Sequence, residues 1–235
     1  MQDSGLEPIF DGAYLMLSFL KNQKEGKPDG IINTILLNDS YQLMMQHHGL
    51  MRDVMLNVLK CISIRTTLQD KTEKLVFESL VREIDRLDKI DKFLDEIQDC
   101  WKTIAYSSMN AALKYLPAEA RVKAKVHFIF GGHSDGYTVG EDNILFNISM
   151  FFGNLTYLRV IMSHGLHHMG LSSIETKLAK ATNSKEEKMS LLLGATKGEG
   201  IATYVMYQLA KEEENESWIG LFQERLKTLK KTFKP

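Results

Sequence analysis

Apolar residues recur at helical spacing through most of the chain, and this periodicity predicts a mainly helical protein. The first half contains four such segments, at 10–23, 31–38, 41–62 and 70–106. Asn38, Asp39 and Ser40 offer an N-terminal cap for the third segment. In the fourth, apolar positions form one stripe of the kind that packs on a core, made of Leu75, Leu80, Ile84, Leu87, Ile90, Phe93, Leu94, Ile97 and Trp101.

The pattern changes after Pro117. Residues 125–130 and 143–151 are rich in β-branched and aromatic residues and flank a glycine-rich turn, so we predict an antiparallel strand pair. Helical periodicity returns over 154–170, 185–214 and 216–233. The fold class is therefore α+β, predominantly helical, with a small antiparallel sheet.

Neither an internal repeat nor a Gly-, Ser- or Pro-rich linker divides the chain, which favours a single domain over 1–235. Within it, the helical N-terminal part covers about 1–116 and the part with the candidate chemistry covers about 117–235.

Composition excludes several classes of function. The chain is 44% hydrophobic and 25% charged with a net charge of −1, which does not indicate nucleic acid or a membrane surface as a partner. We find no membrane span and no secretory signal, so we expect a cytoplasmic protein, or an exported one if a signal was removed. Cys61 and Cys100 are far apart and outside any CxxC pair, which predicts free thiols.

The segment "RVIMSHGLHHMG" holds three of the chain's seven histidines. His164 and His168 are four residues apart, so a helix presents both imidazoles on one face, beside an apolar stripe of Leu158, Met162, Leu166 and Met169. His167 points away from that face and is not counted as a ligand. Because a zinc site needs at least three protein ligands, a third ligand has to come from another part of the chain.

The segment "TKGEGIATYV" is the natural source of that ligand, since Glu199 lies between Gly198 and Gly200 in an apolar helix. Each glycine costs about 1 kcal/mol of helix stability relative to alanine. The pair is understandable if the backbone has to approach another helix closely so that Glu199 reaches a metal ion.

These motifs resemble zincin-like metallopeptidases of the gluzincin type, and more narrowly a group of bacterial proteins described as zinc-dependent peptidases. The resemblance is specific over about 126–207. It implies that His164, His168 and Glu199 bind Zn²⁺, with water in the fourth position, and that an extended peptide or protein is the substrate. In such enzymes the zinc-activated water hydrolyses a peptide bond.

The chain departs from the HExxH signature at one position, because Gly165 stands where the family has its glutamate general base. Loss of a general base typically lowers the rate about 10²- to 10⁴-fold, so we expect weakened or absent activity. Glu175, Glu141 and Asp142 are other carboxylates in this half of the chain. Gly165 is either a natural feature of a non-catalytic relative or an engineered change.

The resemblance also suggests residues that contact substrate. Zincins bind extended peptides along an edge strand, and "NILFNISMF" is the candidate here, with Ile144, Phe146 and Ile148 alternating along it. Tyr204 and Tyr207 are candidates for stabilising an oxyanion, with core packing as the alternative.

Two further motifs have ordinary explanations. The loop "FGGHSDGYTVG" is a turn between strands, with a substrate-side role for His133, Asp135 or Tyr137 as the alternative. The doublet of His47 and His48 is a coincidence of sequence. The competing interpretation of the whole chain is a helical interaction or scaffold domain that binds no metal.

Overall fold

The computed structural model describes residues 5–27, 30–66, 68, 70–131, 134–175, 185–213, 219–220 and 223, and for residues 175 and 185–197 it describes the backbone alone. The chain forms two compact units. The first unit combines Met1–Trp101 with Lys123–Gly153, and the second combines Lys102–Val122 with Asn154–Pro235. Most of the helix predicted over 216–233, and His133, lie outside the described residues.

A four-stranded sheet lies in the first unit, in the order β1-β2-β4-β3. The strands are β1 Leu6–Ile9, β2 Ala124–Ile129, β3 Gly136–Val139 and β4 Asn143–Asn147. β2 is parallel to both β1 and β4, whereas β3 is antiparallel to β4. The α+β, predominantly helical class is confirmed, and the sheet is mixed.

The predicted antiparallel pairing of the two central strands is wrong, since β2 and β4 run parallel, with Lys125 opposite Asn143 and Ile129 opposite Asn147. The short strand β3 explains the difference. It follows the glycine-rich loop and forms a hairpin with β4, closed at Gly140 with φ +66°. The chain therefore reverses direction twice between β2 and β4, and β4 returns in the direction of β2.

Besides the strands, the described residues up to Phe151 form seven α-helices and one short 3₁₀ turn. They are α1 Asp11–Glu25, α2 Ile32–Leu37, α3 Asp39–His48, α4 Arg52–Ser63, α5 Lys71–Val81, a 3₁₀ turn at Ile84–Arg86, α6 Leu87–Leu113 and α7 Ile148–Phe151. The helical segment predicted over 41–62 is two helices, because Gly49 takes a left-handed conformation with φ +59° and ends α3. The predicted cap is confirmed, as the Asn38 side chain accepts from the Ser40 amide.

The apolar stripe predicted over 70–106 packs into the core as expected, apart from its start. Leu75 is 42% exposed, whereas six later members are buried: Leu80, Leu87, Ile90, Phe93, Leu94 and Ile97. Cys61 and Cys100 are free, as predicted. Among the described residues, no helix combines the length and apolarity needed to cross a bilayer.

The second unit is built on two long helices, α8 Leu155–Glu175 and α9 Lys185–Glu212. Val160 of α8 shares a buried cluster with Met206, Leu209 and Ala210 of α9. An ion pair at 2.5 Å between Arg159 Nη2 and Glu213 Oε2 joins the start of α8 to the residue that follows α9. The two helices thereby hold each other in a fixed register, and this register positions the candidate site.

Candidate metal centre

Helix α8 presents His164 and His168 side by side at the margin of its buried face. Leu158, Met162 and Leu166 are fully buried, and this apolar stripe fixes the rotation of the helix about its axis. A neighbouring stripe is half-buried and consists of Tyr157, Ile161, His164 and His168. The two histidine side chains are 24% and 27% exposed. The predicted arrangement of the pair on α8 is therefore confirmed.

Glu199 of α9 reaches both imidazoles. Its Oε2 lies 3.5 Å from His164 Nε2, and its Oε1 lies 3.3 Å from His168 Nε2. The two Nε2 atoms are 3.0 Å apart. The three residues form a group of potential metal ligands whose donor atoms all lie within 4.8 Å of one another. The structure thus brings together the three residues that the sequence suggested as ligands.

The dimensions of this group fit a zinc ion. Zinc binds imidazole nitrogen and carboxylate oxygen at about 2.0–2.2 Å in a tetrahedron, whose ligands are then about 3.3–3.5 Å apart. The Nε2–Nε2 separation of 3.0 Å is close to such an edge, and Glu199 places one carboxylate oxygen 3.5 Å from His164 Nε2 and the other 3.3 Å from His168 Nε2. Two imidazoles and one carboxylate are also the donor set of several catalytic zinc sites, which leave the fourth position open.

The electrostatics of His164 favour its metal-binding form. Burial and, to a lesser extent, the nearby imidazole of His168 lower the pKa of His164 to about 4, although Glu199 and the backbone of Ala202 oppose the shift. A histidine binds a metal ion through an unprotonated ring nitrogen. At neutral pH the His164 ring is therefore neutral and able to offer that nitrogen.

His167 occupies a different environment, as predicted from its angle on the helix. Its side chain is fully buried, and neither ring nitrogen makes a hydrogen bond within the described part of the chain. Burial lowers its pKa. It is not among the clustered potential ligands, which are His164, His168 and Glu199.

The two glycines around Glu199 are not explained by close helix approach. A Cβ atom at Gly198 would lie 3.6 Å from Leu171 Cδ1, an ordinary contact, and one at Gly200 would meet no atom of the described residues within 4 Å. The tight approach in this unit occurs at Gly170 instead, where a Cβ atom would overlap the side chain of Leu116. The steric reason that we expected for the Gly198–Gly200 pair is therefore wrong.

The strand predicted to bind substrate is not an edge strand. β4 has β2 on one side and β3 on the other, so its backbone groups are already used in the sheet. Ile144 and Phe146 are 1% exposed, and Ile148 is fully buried as the first residue of α7. These side chains belong to the core of the first unit, and the predicted edge position is wrong.

The two tyrosines suggested for oxyanion stabilisation lie further along α9. From the ~3.6-residue period, Tyr204 is about 140° around the helix from Glu199 and Tyr207 about 80°. Tyr204 is 45% exposed, and its ring meets that of Tyr115 edge-on at 5.5 Å. Tyr207 is half-buried. The catalytic role of either tyrosine stays a prediction.

Candidate substitutes for the missing base lie in several places. Gly165 is a half-buried residue of α8. Glu141 and Asp142 lie in the β3–β4 turn of the first unit, where Asp142 accepts from the Asn143 side chain at 2.6 Å. The side chain of Glu175 lies outside the described residues.

Sequence reasoning missed the backbone of Ala202 near His164, because residue spacing predicts the direction of side chains rather than backbone groups.

Fold and site together define a helical α+β protein with a His-His-Glu group shared between two packed helices. The chain belongs to the family described as "Putative zinc dependent peptidase (DUF5700)", whose model matches residues 32–235. Comparisons with curated proteins and with solved structures give no match.

Proposed function

We propose that this chain binds one zinc ion through His164, His168 and Glu199, in a site derived from a peptidase whose activity is here weakened or lost. The observation that carries the proposal is the cluster of donor atoms, in which the two Nε2 atoms are 3.0 Å apart and each lies 3.3–3.5 Å from an oxygen of the Glu199 carboxylate. The family description adds zinc and peptide hydrolysis as the expected chemistry.

The residues of the chain have distinct tasks in this proposal. His164 and His168 supply neutral nitrogen ligands from α8, and Glu199 supplies a carboxylate from α9 that offsets part of the metal charge. Zinc, when bound, supplies Lewis-acid chemistry, which acidifies a coordinated water molecule and polarises a carbonyl group. The 65% exposure of the Glu199 side chain leaves the group open to solvent.

Gly165 sets the limit on catalysis. It follows the first histidine ligand directly, at the position from which a glutamate would accept a proton, and a glycine has no side chain to do so. We therefore infer that metal binding is retained while hydrolysis is slowed or abolished. The partner in this proposal is an extended peptide, bound as substrate or, in an inactive relative, as ligand.

Metal content measured by plasma mass spectrometry on tag-free protein tests the zinc site. We expect about one zinc per chain after dialysis, and at least about 100-fold weaker binding in His164→Gln, His168→Gln and Glu199→Gln. The matched control is the His47→Gln/His48→Gln double variant, which removes two exposed histidines of the first unit. It should keep its zinc.

The alternatives give different results in the same experiment. Absence of zinc from the unaltered protein, even after zinc is added and the sample is dialysed, contradicts the proposed zinc site. It favours the competing interpretation, a helical scaffold domain that binds no metal. Loss of zinc from the control variant shows adventitious binding to surface histidines. Binding that survives Glu199→Gln but not the histidine variants removes Glu199 from the ligand set.

A further inference from the structure

A chain of three hydrogen bonds connects the N-terminal end of α3 to the sheet of the first unit. Ser40 Oγ lies 2.8 Å from His127 Nδ1, and His127 Nε2 lies 3.0 Å from Asn143 Oδ1. Asn143 Nδ2 in turn donates to Asp142 Oδ1 at 2.6 Å. Ser40 is fully buried and His127 is 3% exposed. We call this arrangement the His127 hydrogen-bond chain.

The direction of each bond follows from the donors available. The Asp142 carboxylate accepts, so the Asn143 amide nitrogen faces it and the amide oxygen faces His127. An amide oxygen only accepts, and His127 Nε2 therefore carries the hydrogen. In a neutral ring Nδ1 is then an acceptor, and the Ser40 hydroxyl donates to it. This network specifies one tautomer of a neutral His127.

A second proton on His127 has no suitable place. It would sit on Nδ1, where Ser40 would have to accept and its own hydroxyl hydrogen would need a new partner at a fully buried position. The positive N-terminal end of α3 lies at the same point, because Ser40 follows the N-cap Asn38 by two residues. Both features oppose a charged imidazole.

Charged groups around His127 act in both directions. Burial lowers its pKa most, the Asn143 hydrogen bond raises it, Lys125 on its own strand lowers it, and Asp39 of α3 and Asp142 raise it. The neighbouring strands place Ile9 of β1 and Leu145 of β4 opposite His127. On α1, where Asp11 is in the first turn, Gly12 packs so closely on Ser40 that a Cβ atom would lie 2.9 Å from Ser40 Cβ.

The rest of α3 is attached by contacts that do not involve His127. The Tyr41 hydroxyl donates to the Phe130 carbonyl and accepts from the Phe130 amide, and burial raises the pKa of Tyr41. At the C-terminal end the His47 ring stacks on Tyr137, with centroids 4.0 Å apart.

We propose that the His127 hydrogen-bond chain is a pH-sensitive contact, which holds the α2–α3 junction at Asn38–Ser40 on the sheet at neutral pH and releases it in mild acid. Tyr41 and His47 keep the body of α3 in place. The direction of the pH dependence follows from the lowered pKa of His127, because the folded contact favours the neutral imidazole. The junction is fully held above the ordinary histidine pKa of about 6.5 and is lost as pH falls below it, because only the released state takes up the proton.

Nitrogen NMR of the unaltered full-length protein, with the His127 ring assigned through its own backbone resonances, tests the starting state. We expect the Nε2–H tautomer at pH 7.5 and a titration midpoint below 6.5. An Nδ1–H tautomer, or a midpoint at or above 6.5, would overturn the proposal. Because this measurement needs no variant, it stays decisive if His127→Gln folds poorly.

Amide hydrogen exchange tests the release. Ser40 and Gln42 report on the junction, since their amides bond to the side chain and the carbonyl of Asn38. We expect them to lose protection about tenfold between pH 7.5 and 5.5, after correction for intrinsic rates, while Met44 and Met45 keep theirs. The pH response should disappear in His127→Gln and persist in His47→Gln. An unchanged junction, or a response that survives His127→Gln, contradicts the proposal.

Discussion

Under the proposed function, residue 165 separates metal binding from hydrolysis. His164, His168 and Glu199 form a group of potential metal ligands, and none of their donor atoms belongs to residue 165. A glycine also lowers helix stability relative to most other residues. The identity of residue 165 therefore affects two properties that can be measured independently, which are the presence of a general base and the stability of α8.

We expect Gly165→Glu to raise peptidase activity about 10²- to 10⁴-fold over the unaltered protein, because a carboxylate becomes available as general base. Cleavage of a mixed peptide library, followed by mass spectrometry, measures this change. Gly165→Gln is the matched control, since glutamine has the same size and a similar helix propensity but cannot serve as that base. Its zinc content should equal that of Gly165→Glu.

Two outcomes would count against this view of residue 165. A Gly165→Glu variant that binds zinc normally and cleaves nothing removes the main support for a degenerate peptidase. Equal activities of the Glu and Gln variants would show that the gain comes from helix stability and not from proton transfer.

At the scale of elements, the packing of α8 determines how glycines in this unit respond to substitution. A Cβ atom at Gly170 overlaps Leu116, whereas Gly200 has open space around its Cα. We expect Gly170→Leu to lower the free energy of unfolding by about 1–3 kcal/mol through overpacking. Gly200→Ala should raise it by about 0.5–1 kcal/mol through helix propensity.

Chemical denaturation of both variants measures these changes, and zinc content provides the control. Gly200→Ala should bind zinc like the unaltered chain, because its methyl group would contact none of the described atoms within 4 Å. A destabilising Gly200→Ala would mean that this glycine is needed for another reason, such as close approach of a bound peptide to the α9 backbone.

The sequence predicted the helices of the site well because their signals are local. The four-residue spacing of His164 and His168 and the apolar stripe beside them define one helix face without reference to the rest of the chain. Glu199 was suggested by its glycine context, although the structure gives those glycines no steric role.

Strand pairing could not be predicted in the same way, because it depends on distant parts of the chain. The strand β1 near the N-terminus pairs with β2 across more than a hundred residues, and the short strand β3 lies beside β4. Missing β3 reversed the predicted direction of β4 and placed this strand at an edge of the sheet, whereas the burial of Ile144, Phe146 and Ile148 follows from their alternation along the chain.

At the scale of the whole molecule, the chain has two compact units and one helix with residues in both. α6 extends over Leu87–Leu113, and the boundary of the units falls at Trp101 and Lys102. The matched family region, residues 32–235, also includes parts of both units. Whether the chain unfolds as the single domain that we predicted therefore depends on how strongly the unfolding of one unit is coupled energetically to the unfolding of the other.

Calorimetry with and without zinc answers this question and tests the site together. At a free zinc concentration about 100 times the Kd, binding to the folded state adds about 2.7 kcal/mol of stability. For a chain of this size, that corresponds to a Tm increase of about 5–10 °C. Because α6 contributes residues to both units, we expect a single unfolding transition. Its Tm should rise with zinc and return to the metal-free value when a chelator is added.

The variants and the number of transitions separate the two hypotheses. His164→Gln should abolish the zinc shift, while His47→Gln/His48→Gln should preserve it. Two unfolding transitions, of which zinc raises the Tm of only one, would agree with a metal site in the second unit and contradict the single-domain prediction. A single transition that zinc does not move would instead contradict the metal site, since any ligand that binds only the folded state has to stabilise it.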